Sequence, residues 1–147
     1  MRYIEAPAEL GPDSGGPVLF LAGGITNCPN WQAEAAEMLR AEPDLAVINP
    51  RRTVYDQDAA VEQITWEHTH LHRADVILFW FTSGSLQPIA LYELGVHATR
   101  GAPIVVGTDP DYPRRLDVEV QLSLARPGLP VHRTLAATVA AARDLLG

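Results

Sequence analysis

Six consecutive large apolar residues, Val76-Ile77-Leu78-Phe79-Trp80-Phe81, constrain this chain more than any other stretch. A strand with one wet face alternates apolar and polar side chains, whereas an unbroken apolar run needs cover on both faces, as in parallel sheets. Pro17-Val18-Leu19-Phe20-Leu21-Ala22, Leu45-Ala46-Val47-Ile48 and Pro103-Ile104-Val105-Val106-Gly107 read the same way, and Leu129 to His132 supplies a fifth candidate strand. Helical patterns lie between them. Pro29 and Asn30 open one in which Trp31, Ala35, Met38 and Leu39 form a single stripe; residues 57–73 form another. Pro88 at a first helical position starts a third that Gly101 stops, and residues 115–125 and 134–146 complete the set.

Strands alternating with helices require right-handed crossovers. The expected fold is therefore α/β: a doubly wound, five-stranded parallel sheet in three layers, flavodoxin-like or Rossmann-like, with its strands in the order 2-1-3-4-5. In that order the chain reverses direction between strands one and three, and ligands of open α/β sheets bind in the crevice at that point. The loops to watch are Gly23 to Asn30 and Thr82 to Pro88. Residues 1–16, rich in Pro, Gly, Asp and Glu, read as a loose lead-in to a single domain over residues 1–147.

Charge narrows the partners. A net charge of −7 repels phosphate backbones, so nucleic acid is not expected to bind. Cys28 is the one cysteine, which excludes an intramolecular disulfide and a cysteine-rich metal site and favours a reducing compartment. The amino terminus has no signal-peptide pattern and no apolar run is long enough for a bilayer, so a cytoplasmic location is expected.

Two carboxylates interrupt helical stripes. Glu93 lies between Ile89 and Val96, and Glu67 between Ile64 and Leu71. Burying a carboxylate costs several kcal/mol unless it is paired, hydrogen-bonded or neutralised. One reading is a pair of acids facing the crevice; the other is two structural ion pairs with Arg52, Arg73 or Arg100. Glycosidic chemistry would use the first arrangement. Breaking a bond at an anomeric carbon creates an oxocarbenium-like centre, which one carboxylate attacks or stabilises while a second acid protonates the leaving group. Glu93 would fall in the second helical turn, beyond the reach of the helix dipole.

Gly23-Gly24-Ile25-Thr26-Asn27 follows a strand and precedes a helix, where glycine allows close backbone approach. It has neither the dinucleotide fingerprint nor the Walker spacing, and a tight turn explains it equally well, so no cofactor is implied. His68 and His72 have a spacing that can hold a metal, but the order differs from His-Glu-x-x-His, and a solvated helix face is the simpler reading; no metal is expected. Trp66 and Trp80 are read first as core, with Trp80 also placed to line the crevice.

At these residues the sequence resembles the nucleoside 2-deoxyribosyltransferase-like proteins. The stretches that carry the likeness are Val18–Thr26, Val47–Arg52, Gln63–Phe81, Gln87–Ala98 and Pro110–Gln121. The resemblance implies that Glu93 is a nucleophile that takes a 2-deoxyribosyl group from a nucleoside, to be accepted by a second free base, and that Glu67 lies near the leaving base. Gln87 stands where relatives carry another acid, and Phe20 where they often carry a tyrosine. A homodimer or larger homo-oligomer is implied, with sites completed across the interface. Hydrolysis of the same bond in a nucleoside or nucleotide, or non-catalytic nucleotide binding, are the alternatives. The substrate-binding set expected at the crevice is Phe20, Gly23, Gly24, Ile25, Thr26, Asn49, Trp80 and Gln87.

Overall fold

The computed structural model describes residues 1–53 and 56–147. Its framework is one sheet of six parallel strands, β1 (Arg2–Glu5), β2 (Val18–Gly23), β3 (Ala46–Asn49), β4 (Val76–Phe81), β5 (Ile104–Thr108) and β6 (Val131–His132), in the order β1-β3-β2-β4-β5-β6. The helices are α1 (Trp31–Met38), α2 (Ala60–Arg73, preceded by a 3₁₀ turn at Gln57–Ala59), α3 (Pro88–Thr99), α4 (Arg115–Ala125) and α5 (Leu135–Leu146). No helix among the described residues is long and apolar enough to cross a membrane.

The expectation of five strands is corrected to six. Without β1 the order is the anticipated one, and the direction reverses between β2 and β4, whose registers include Leu21 beside Leu78 and Gly23 beside Trp80. The extra strand comes from the expected loose lead-in. Arg2-Tyr3-Ile4-Glu5 pairs with β3 at the sheet edge, where half-exposed polar residues are tolerated and the apolar signal fades. The rest of that segment is also held down. Leu10 is buried; Trp66 donates its indole N–H to the Ala8 carbonyl at 3.0 Å, and Arg73 donates to the carbonyls of Leu10 and Gly11 at 3.0 and 2.6 Å. His70, fully buried, accepts from the Leu10 amide at Nε2 (3.3 Å) while its Nδ1 donates to the Trp66 carbonyl (2.8 Å).

Alternation along each strand sends side chains to two cores. Phe20, Ile77, Phe79 and Phe81 meet α2, α3 and α4; Leu19, Leu21, Leu78 and Trp80 meet α1 and α5. The stripes around the two carboxylates are a second correction. Ile64 and Ile89 are 64% and 65% exposed and Val96 is exposed as well, so of the four stripe residues only Leu71 is buried; the helices face the core with it, Trp66 and His70 and with Ala90, Leu94, His97 and Ala98. The stripe residues therefore wall an opening between α2 and α3.

Candidate active site

That opening is a cleft of about 830 Å³, running from the carboxyl ends of β2 and β4 down between α2 and α3. Its volume suits a small-molecule ligand. Of the residues expected at the crevice, Glu67, Glu93, Phe20, Gly23, Gly24, Ile25, Thr26 and Gln87 line it. Asn49 and Trp80 do not. Trp80 points to the opposite sheet face, one step out of phase with Phe79 and Phe81, and is buried in the α1/α5 core. Asn49 is consumed locally: its Nδ2 donates to the Tyr3 hydroxyl at 2.7 Å and its Oδ1 accepts from the Arg51 amide at 2.9 Å.

The rim of the cleft is a pair of interlocked loops. Gln87 caps α3 in a left-handed conformation, φ 54°. Its Oε1 accepts from the Gly24 amide at 3.0 Å, and its Nε2 donates to the carbonyls of Thr82 and Ser85 at 2.8 and 3.3 Å. The Gly24 carbonyl accepts from Trp31 Nε1 and Gln32 Nε2 at 3.0 and 3.2 Å. A Cβ on Gly24 would sit 2.6 Å from Gln87 Cγ. The glycine is thus required by the clamp between the β2 and β4 loops. Gln87 spends its amide on that clamp.

The two carboxylates lie opposite each other, one on each helix. Burial pushes the Glu93 carboxyl from its ordinary 4.5 up to about 8, and the nearby Glu67 adds to the effect; no cation or donor opposes it. Glu67 is also raised by burial, but Gln63 and Arg52 pull the other way. Gln63 Nε2 donates to Glu67 Oε1 at 2.7 Å, and Arg52 Nε donates to Gln63 Oε1. Glu93 therefore holds its proton at neutral pH, while the donor and the cation beside Glu67 favour its carboxylate form. Neither carboxylate makes a direct ion pair among the described residues, although Arg52 is near enough to lower Glu67: Arg73 serves backbone carbonyls, Arg100 donates to His97 Nδ1 at 2.7 Å, and Arg52 meets Gln63.

Also lining the cleft, the rings of His68 and His72 lie 4.2 Å apart, and those of His72 and His97 5.1 Å. Burial, helped by Arg100, lowers His97 to about 4, so it is neutral; since Nδ1 accepts from Arg100, its proton sits on Nε2. No group of three or more His, Cys, Asp or Glu is arranged to hold a metal among the described residues. Gln63 and His97 are among the cleft residues that sequence reasoning did not single out. An uncharged glutamine one helical turn before a buried acid was the available signal for the first.

A family profile described as nucleoside 2-deoxyribosyltransferase like matches residues 16–112. No curated protein matches the chain. Among solved structures, a conserved protein from Enterococcus faecalis V583 superimposes with a TM-score of 0.53 at 15% identity, covering 89% of this chain and 95% of that one; at this identity the likeness concerns the fold alone.

Proposed function

The chain belongs to the nucleoside 2-deoxyribosyltransferase-like family, and on that premise we propose that it cleaves the N-glycosidic bond of a nucleoside, with Glu93 as nucleophile and Glu67 as acid. The observation that carries this reading is the pair of mostly buried carboxylates on facing helices of one cleft, Glu93 pushed up to about 8 and Glu67 held by a donor that favours its carboxylate form. Glycoside chemistry needs one ionised and one protonated carboxyl. In the reaction the proton on Glu93 passes to Glu67. The freed Glu93 carboxylate then attacks the anomeric carbon as the C–N bond breaks, and Glu67 delivers the proton to the departing base. A second base, or water, releases the sugar from Glu93 in the reverse sense, and the proton returns to the pair.

Transfer is the main reading and hydrolysis the alternative; they differ only in the acceptor. Retention of both desolvated acids disfavours a purely binding role, which has no use for their cost. Exposed apolar side chains around the cleft mouth, Ile64, Ile89 and Tyr92 (72% exposed), support a homo-oligomer in which a second copy covers this rim. Chromatography of nucleosides incubated with the protein, with and without a second free base, tests the reading. A new nucleoside formed only with added base means transfer, and free base with free sugar means hydrolysis. No product from any nucleoside refutes the proposal.

A further inference from the structure

Gln63 has one arrangement open to it. Its Oε1 accepts from Arg52 Nε, and its Nε2 donates both to Glu67 Oε1 (2.7 Å) and to the Pro50 carbonyl (3.1 Å). Turning the amide over would set its NH₂ against a guanidinium donor and its oxygen against a carboxylate and a carbonyl, three repulsive contacts in place of three attractive ones. Arg52 is well suited to impose this. It lines the cleft, and its Nε donates to Gln63 Oε1 from the side opposite the carboxylate contact of the amide. The arginine comes from the loop after β3, the glutamine from the opening turn of α2, and the glutamate from the next turn. The loop and the helix are thereby joined at the carboxylate.

We propose that Gln63, oriented by Arg52, is a positioning residue that commits Glu67 Oε1 and leaves Oε2 as the oxygen that takes and gives the proton in catalysis. This rests on the assignment of Glu67 as the acid. A donor on Oε1 stabilises the carboxylate form of Glu67, so the pair enters the reaction with one proton instead of two. Without it, both acids would be protonated over more of the acidic range and Glu93 could not be freed. The other titratable and charged groups lining the cleft are Arg52 from the loop, Glu93, Tyr92 and His97 from α3, and His68 and His72 from the helix of Glu67. None of these is a neutral fixed donor on Oε1, so none replaces the amide.

The test is a carboxyl ¹³C NMR titration of the substrate-free protein, comparing wild type with Gln63→Met and Gln63→Lys. Methionine keeps the length and removes the donor; lysine keeps a donor. The expected result is a Glu67 midpoint raised by about one pH unit in the Met variant, as loss of a charge-assisted hydrogen bond implies, and at or below the wild-type position in the Lys variant. The Glu93 midpoint should move far less. With a working substrate, the acid limb of the kcat/KM profile should shift upward in the Met variant, about tenfold at a pH below the limb, while the alkaline limb holds. An unmoved Glu67 midpoint, or a uniform drop in kcat/KM with an unchanged profile, overturns the proposal. In the unsubstituted protein a Gln63 side-chain amide resonance must track the Glu67 titration. A flat resonance overturns it even if the Met variant fails to fold. Absence of turnover on every nucleoside would refute the functional reading, while the titration would still decide the role of Gln63.

Discussion

Replacing Glu93 with glutamine should make the protein more stable, and increasingly so as pH rises. The Glu93 carboxyl ionises at about 8 in the folded chain against an ordinary 4.5. Between those values the folded state binds a proton that the unfolded state has lost, so wild-type stability falls as pH climbs from 4.5 to 8 and levels off above. Such a displacement corresponds to about 4–5 kcal/mol on the charged form, at 1.36 kcal/mol per pH unit; the open side of the cleft and relaxation around the charge reduce this to about 3 kcal/mol. Glutamine is nearly isosteric and carries no charge, so it escapes the penalty. For a chain of this size about 3 kcal/mol is worth about 6–12 °C in Tm. Thermal unfolding followed by circular dichroism at pH 5.0 and pH 8.5 reads this directly. The two proteins should melt close together at the lower pH and separate by that margin at the higher one. Glu67→Gln should show a smaller gain, because it also discards the contact with Gln63. A Glu93→Gln protein that tracks wild type at both pH values would mean that Glu93 is not desolvated, and the reasoning about the pair would fall with it.

Two further outcomes follow from the fold and the surface. Leu10→Ala should cost about 2–4 kcal/mol in chemical denaturation, the usual loss for a fully buried leucine, whereas a loose lead-in would lose under about 0.5 kcal/mol. Ile89→Asp with Tyr92→Asp, placing charge on the exposed rim of the cleft, should reduce the particle mass measured by light scattering to that of a single chain; an unchanged mass puts any oligomer interface elsewhere.

Much of this architecture was legible because it rests on continuous apolar runs and helix punctuation. β4 occupies the same six residues as the run that announced it, and α4 the same stretch as its periodicity. The features that are not legible depend on position more than on composition. β1 is a short edge strand whose pairing with β3 needs no apolar run. The stripes of Ile64 and Ile89 leave open whether the carboxylates between them face a crevice or a core, since a cleft wall and a core wall share the same spacing. Trp80 fell out of the cleft on strand parity alone, and Asn49 through a bond to Tyr3, 46 residues earlier, that no local pattern could announce. Gln63 matters through what Arg52 and Glu67 do to it, and that emerges only once the loop after β3 is folded against α2.

The measurement that bears most directly on the central claim is the intact mass of the protein during turnover of a nucleoside, stopped by acid and compared with Glu93→Gln. The account predicts a gain equal to one glycosyl residue, mapped to Glu93, that disappears when a free base is added and never forms in the variant. Steady cleavage of the nucleoside with no mass gain, matched by full activity in Glu93→Gln, would show that the bond is broken without this nucleophile.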